Sequence, residues 1–279
     1  MKRIITHGRK AHRDDFLAVA LALAIYGVMP VFRRDPTEEE LDDPEVLVLD
    51  VGGQHNPERN NFDHHQFHKS HEPECALSLF VRAQDLEDDF KLRPWWEFTV
   101  VKDAQGPRAA AKTLGLDSLH VGLQSPVESI LLHMFSGKTW LSIEITELMK
   151  MFGKELLEYT KRYAQDYREV RSLVDIQEIG GEKTLVAHRS TGGTMNGILG
   201  RYHELEHPDA VLSISPSPDK GASWAIYRFD RADVDLSHLE GNSDIKFAHR
   251  SGHLAILRNG LKLQRAIDLA ELAIIWDRQ

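Results

Sequence analysis

Imidazole and carboxylate side chains crowd the first part of the chain, in four short segments. THGRKAHRDD (6–15) holds His7, His12 and Asp14, and LVLDVGG (47–53) holds Asp50. FDHHQ (62–66) holds Asp63, His64 and His65, and VVKDAQG (100–106) holds Asp103. Nitrogen and oxygen ligands of this kind suit Mn²⁺, Mg²⁺, Fe²⁺ or Zn²⁺. Each residue alone has an ordinary explanation. Asp14 could cap a helix, Asp63 could shape a turn, and a histidine near a strand end is usually structural. Together they recur in an order that fits one metal site.

The elements that must position these groups alternate. RIIT (3–6) reads as a short strand, and residues 14–26 read as a helix whose first-turn acids suit its positive end. PVF (30–32) is a candidate strand. VLVL (46–49) is a continuous apolar run of strand length, as expected for a strand buried on both faces. His7 and Asp50 directly follow predicted strands, and in an open α/β sheet such strand ends face the ligand crevice. Gly52 and Gly53 let the chain turn tightly beside Asp50. Helices are expected from about 76 to 86, at 127–135 and along 143–170, while 95–103 is ambiguous between helix and strand. The composition turns polar and turn-like near 175–182, at EIGGEK. Beyond it, strands at 184–188, 210–215 and 223–229 alternate with helical stretches, the last from about 261 to 275. The fold expected is α/β, with a parallel-sheet N-terminal domain over 1–175 and a smaller α/β C-terminal domain over 180–279.

Composition sets limits on the chemistry. The chain has 279 residues, 34 Lys plus Arg against 43 Asp plus Glu, and a net charge of −9. Such a balance argues against a basic surface that coats long nucleic acid. A single cysteine, Cys75, excludes a disulfide framework and Cys-rich zinc modules. Of 15 histidines, seven lie within the first 71 residues. The basic N-terminus and the apolar run Phe16–Tyr26 imitate a secretory signal. His7, His12, Asp14 and Asp15 interrupt that basic segment, so a buried helix of a cytoplasmic protein is expected, with no membrane span.

The four segments resemble the DHH phosphoesterase superfamily, and within it the Myg-type, exonuclease-like branch. That branch opens with THxGxFHxDE, continues with DVGGxYDPxxxRYDHHQ and carries a DAIDNG segment. Here the matching stretches are THGRKAHRDD, DVGGQHNPERNNFDHHQ and VVKDAQG. FAHRSGHLAILRNG (247–260) resembles the late FxHxGGFIxGN segment. Asp15 stands where the branch has Glu, and Ser251–Gly252 where it has Gly–Gly.

The resemblance implies a centre of two divalent cations, Mn²⁺ first and Mg²⁺ second. His7, His12 and Asp50 would hold one ion. Asp14, Asp50, His64 and Asp103 would hold the other, with Asp50 shared. It assigns His65 to the substrate phosphate and Asp63 to the orientation of a histidine. The activity implied is two-metal hydrolysis of a phosphodiester, as a 3′–5′ exonuclease or phosphodiesterase acting on short RNA or DNA or a small nucleotide. His249, Arg250, Ser251, Gly252 and His253 form a polar-basic segment in the second domain and are the expected substrate grip, since Arg suits a phosphate. A homo-oligomer is compatible with all of this.

Two other readings compete. One is a nucleotide-binding module that keeps the metal site without turnover. The other is a zinc peptidase built on HELEH (203–207), which matches H-E-x-x-H and needs both histidines on one helix face. Pro208 follows at once and works against helical geometry there.

Overall fold

The computed structural model describes residues 1–116, 125–137, 139–190, 195–217, 223–229 and 234–276. The chain forms two compact units, Met1–Arg162 and Tyr163–Gln279.

The first unit is built on five strands: β1 (Arg3–Thr6), β2 (Val31–Arg33), β3 (Val46–Leu49), β4 (His55–Asn56) and β5 (Asn61–Phe62), in the order β2-β1-β3-β5-β4. β1 runs parallel to β2 and β3, and β3 parallel to β5. The expectation of a parallel sheet therefore needs one correction, because β4 pairs antiparallel with β5 at the edge. The reason is chain length. Only residues 57–60 join β4 to β5, and a parallel return needs a crossover of a dozen residues or more. The other edge is covered: Arg33 N donates to Thr139 O and Leu141 N to Val31 O. That leaves little of β2 open to foreign strands.

Helix α1 (Arg13–Tyr26) lies against this sheet with Ala18–Leu23 buried. The run VLVL behaves as its composition requires. Leu47 and Leu49 join the core with α1, whereas Val46 and Val48 pack on the opposite face with Ile5 and Leu41. Leu41 comes from α2 (Glu38–Asp42), which Thr37 caps through Glu40 N. The unit continues with α3 (Ala76–Ala83), α4 (Glu87–Phe90), α5 (Trp96–Gln105), α6 (Pro107–Thr113) and α7 (Pro126–Phe135). The ambiguous stretch 95–103 is thus helical: Trp96 and Val100, four apart, both pack into the core. The long α8 (Ile143–Leu173) runs through the boundary between the units.

The second unit holds β6 (Val174–Ile179), β7 (Glu182–Ala187), α9 (Met195–Glu206), β8 (Leu212–Pro216), β9 (Trp224–Arg228), β10 (Ile245–Ala248), β11 (Leu254–Leu257) and α10 (Leu263–Trp276). Its sheet order is β10-β11-β9-β8-β7-β6. β7 and β8 are parallel because α9 makes the crossover between them. The stretch that reads as a polar turn is mostly strand. β6 and β7 form a hairpin whose two central residues, Gly180 and Gly181, both take positive φ. That is the tight-turn geometry glycine pairs favour.

One close approach fixes how α8 meets α1. Gly153 sits so near the Ala20 carbonyl that a Cβ would fall on it. On an exposed helix, Gly→Ala stabilises by roughly 0.5–1 kcal/mol. Here the contact reverses the sign. Gly153→Ala is expected to lose about 1–3 kcal/mol, as overpacked cores do. Thermal denaturation of the two proteins checks this, and a raised Tm would show that the helices separate at no cost.

Candidate metal centre

His7 follows β1 by one residue and Asp50 follows β3 by one residue. Because Thr6 and Leu49 are register partners in parallel strands, both side chains leave the sheet at the same edge. Asp50 has φ 60, a left-handed conformation that Asp tolerates better than most residues. Two residues on, Gly52 has φ 98, and Leu41 and Pro36 fill the space beside its Cα. Asp14 and Asp15 occupy the first turn of α1, where the helix end favours negative charge. Asp63, His64 and His65 follow β5, and Asp103 sits in the last turn of α5.

These elements bring together every residue that the sequence assigned to the metals. His7, His12 and Asp50 offer ligand atoms within 4.8 Å of one another, and so do Asp14, Asp50, His64 and Asp103. Asp50 is common to both groups and uses different oxygens. Oδ2 lies 3.2 Å from His7 Nε2, and Oδ1 lies 3.2 Å from His64 Nε2. His64 Nε2 is also 3.0 Å from Asp103 Oδ2, and His12 Nδ1 is 3.4 Å from Asp103 Oδ1.

At the most buried of these atoms the short contacts lack hydrogen-bond geometry. His7 Nε2, His64 Nε2, Asp50 Oδ1 and both oxygens of Asp14 are buried with no hydrogen-bond partner. Buried polar atoms almost always find one. Orphaned atoms that crowd within contact distance of each other, all of ligand chemistry, fit cations bound among them.

The electrostatics agree. Burial alone would lower the pKa of His7, but Asp15 and Asp50 outweigh it and hold it at about 9. Burial likewise opposes charge on His64, and Asp103 and Asp50 raise it to about 10. Burial, with Asp50, Asp103 and Asp15 nearby, pushes Asp14 well up. For Asp103, burial raises the pKa, but His12 and His64 outweigh it and the net shift is downward. The cluster takes up protons where it lacks other positive charge.

Asp63 is placed differently. Its Oδ2 accepts from Gly53 N at 2.7 Å, and its Oδ1 accepts from His65 N at 3.1 Å and meets His65 Nδ1 at 2.6 Å. With both oxygens engaged, Asp63 orients His65, whose side chain is 62% exposed at the mouth of the cluster. A further group, Asp50, Asp63, His64 and His65, also has ligand atoms within 4.8 Å. The filled hydrogen bonds of Asp63 favour the orienting role.

The sequence reading gave no role to Asp15 or Arg33. Asp15 is fully buried; its Oδ1 accepts from His12 N at 2.8 Å and its Oδ2 lies 3.1 Å from His7 Nε2. Arg33 Nη1 reaches Asp15 Oδ2 at 3.3 Å, and Nη2 donates to Arg9 O at 2.8 Å. The guanidinium lies 3.9 Å over the Phe135 ring. Arg33 therefore neutralises Asp15 and ties down the loop that carries His7 and His12. Asp15 left a trace in the sequence as a departure from the family pattern. Arg33, one residue beyond the candidate strand 30–32, left none.

The expected substrate grip lies in the second unit, at the tip of the β10–β11 hairpin. His249 Nδ1 lies 2.9 Å from Ser251 Oγ, which lies 2.6 Å from His253 Nδ1, and the two rings are 4.2 Å apart. Gly252 has φ 67 and Asp235 fills the space beside it, so packing within the fold explains this glycine. A cleft of about 430 Å³ beside the tip is lined by Phe247, His249 and Arg250 among others.

The HELEH segment does not form a peptidase site. α9 ends at Glu206, so His207 lies beyond the helix, and its Nε2 is 3.0 Å from Tyr202 Oη. Glu204 is paired with Arg201 at 2.8 Å, and the His203 ring stacks on Phe229 at 3.9 Å. Among the described residues, the groups with metal-ligand geometry all include Asp50. No helix among them is long and apolar enough to cross a membrane.

Comparison with known proteins covers the first three of the four ligand-bearing segments, and Asp103 lies outside the residues matched by the family model. A family model, MYG1_exonuc, described as "Uncharacterised protein family (UPF0160)", matches residues 3–78. The MYG1 exonuclease of Rattus norvegicus is 41% identical over 71 residues, 23% of this chain and 17% of the rat protein. That of Homo sapiens is 41% identical over 69 residues, again 23% and 17%. The match thus spans about a sixth of these relatives' length. Among solved structures, RecJ in complex with Mn²⁺ from Thermus thermophilus is 16% identical, with a TM-score of 0.36 over 99% of this chain and 52% of that one. An exopolyphosphatase-related protein from Bacteroides fragilis is 10% identical, with a TM-score of 0.29 over 99% and 92%. The resemblance to the MYG1 exonuclease family covers residues 3–78.

The Arg33–Asp15 pair yields a prediction. Breaking a buried ion pair typically costs about 3–5 kcal/mol because one charge is left uncompensated. Arg33→Leu should lose stability on that scale in urea denaturation. Arg33→Leu with Asp15→Asn should recover much of the loss, and a purely additive double variant would show that the two side chains are not coupled.

Proposed function

We propose that this chain is a metal-dependent phosphohydrolase that cleaves a phosphodiester by two-metal hydrolysis. The substrate class proposed is short RNA or DNA, or a small nucleotide, attacked as a 3′–5′ exonuclease or phosphodiesterase would. The observation that carries this reading is Asp50, whose two oxygens face separate groups of ligand atoms. His7 and His12 complete one group; Asp14, His64 and Asp103 complete the other. Mn²⁺ is the proposed ion and Mg²⁺ the alternative, both compatible with mixed imidazole and carboxylate ligands. Bound ions of this kind supply positive charge to phosphoryl oxygens and acidify water for attack.

The chain's own groups do the rest. Asp50 keeps the two ligand groups in register from a strand end, where the sheet fixes its backbone. Asp63 holds His65 through Nδ1, which leaves Nε2 available to carry a proton to the leaving oxygen. Asp15 and Arg33 hold the 7–12 loop in place. Arg250, with His249, Ser251, Gly252 and His253, is proposed to grip substrate in the second unit, where Arg suits a phosphate oxygen. A net charge of −9 favours a short substrate over an extended backbone track.

Activity is to be assayed with Mn²⁺ on short oligoribonucleotides labelled at either end, which also reads polarity. Asp50→Asn should lose both ions and more turnover than the roughly 10–100-fold that outer partners of metal ligands cost. Turnover like that of the unmodified chain in Asp50→Asn would sink the shared-ligand reading. His65→Ala should keep its metal content and lose about 10²–10⁴-fold in rate, the usual contribution of a general acid. Loss of metal in that variant would make His65 a ligand instead. Failure of the unmodified chain to turn over any phosphorylated compound would favour a nucleotide-binding module.

A further inference from the structure

The metal site accounts for His7, His12, His64 and His65 and leaves three of the early histidines without a task. Two of these three, His55 and His71, belong to a single aromatic tier. From the core outward, Phe80 meets Phe62 at 5.6 Å, Phe62 meets His55 at 6.0 Å, and His55 meets Phe67 edge-on at 6.0 Å. Phe67 then stacks on His71, with rings 4.4 Å apart and 22° from parallel. The inner end is anchored, since Phe62 and Phe80 are fully buried. The outer end, His71, is exposed.

Three features tie this tier to the segment that carries Asp63, His64 and His65 and fix its outer ring. His55 is the register partner of Phe62, the residue before Asp63. Phe67 N donates to His64 O at 3.0 Å, so the turn that carries Phe67 starts on a candidate metal ligand. The outer ring is also set in orientation: His71 N donates to His68 O at 2.8 Å, and His71 Nδ1 lies 2.8 Å from Glu72 O. A flat, exposed ring on the segment that leaves the candidate metal centre is what an unpaired base stacks on, and histidine is among the side chains used for that purpose. Inorganic pyrophosphate or polyphosphate has no use for such a surface.

We propose that His71, backed by Phe67 and His55, is a nucleobase-stacking subsite at the rim of the metal centre. The substrate class is accordingly nucleotidic. The proposal rests on the hydrolase reading for the identity of its neighbour, but it is tested by binding alone.

The probes are adenosine 5′-monophosphate and ribose 5-phosphate, which differ only in the base. Their Kd values are measured by isothermal titration calorimetry on the full chain with Mn²⁺. The unmodified protein should bind the nucleotide about tenfold or more tightly, as one base–aromatic stack provides. His71→Ala should remove that preference while leaving the ribose 5-phosphate Kd and Mn²⁺ uptake unchanged, and His71→Phe should retain it. Equal affinity for the two probes in the unmodified protein, including no binding of either, overturns the proposal. So does an equal loss for both probes in His71→Ala. A base preference in a protein that hydrolyses no phosphoester would leave the subsite standing and remove the hydrolase reading.

Discussion

Carboxylates converge at one edge of the first sheet, and a convergence of like charge in a buried place must be neutralised. The five involved are neutralised in different ways. Asp15 has Arg33, itself buried, within hydrogen-bond distance. Asp63 has two backbone N–H groups and His65. Asp50 and Asp103 face imidazoles, and Asp14 lies buried among Asp50, His64 and Asp103 with no cationic side chain paired to it. That remainder is the part of the cluster with the chemistry to hold cations. The distinction between a positioned carboxylate and a ligand carboxylate here is a matter of which oxygens are already engaged.

Everything else in the first unit serves that edge. Parallel pairing of β1 with β3 brings His7 and Asp50 to the same end. The apolar run of α1 keeps its first turn, with Asp14 and Asp15, pressed against them. Burial of VLVL on both faces leaves β3 no freedom to slip, since a one-residue shift would exchange its two apolar faces and carry Asp50 away from the edge. The left-handed backbone at Asp50 is held by that packing and by the bond from Asp50 N to Phe62 O.

Much of this was legible because ligand chemistry and apolar periodicity are local properties. The strand at 46–49 and the helix after His12 could be read from residue types and spacing, as could the histidines and carboxylates of the four segments, whose division between ions came from the family resemblance. The failures are of another kind. Thr99, Val100 and Val101 are β-branched and suggest a strand, yet they lie in α5, because burial of Trp96 and Val100 on one helix face overrides a weak intrinsic preference. The antiparallel β4 depends on a loop too short to cross over, in a strand of two residues that carries no pattern. The β6–β7 hairpin hid because its first strand is largely exposed and polar, and only the Gly180–Gly181 turn announced it. Arg33 could not be found at all, since a buried cation is identified only by the anion folded against it.

The histidine excess divides by which part of the ring is used. At His7 and His64 a ring nitrogen is buried and aimed at carboxylates, so it is the nitrogen that faces the cluster. At His55 and His71 the ring lies against another aromatic ring, so the site uses the face. His65 stands between, with one nitrogen held by Asp63 and the ring exposed. An amide could imitate the nitrogens but never the face, and a phenyl ring could imitate the face but never the nitrogens. A single residue type therefore supplies separable functions within a few residues of one another, and this explains why composition alone could flag the segment but could not apportion it.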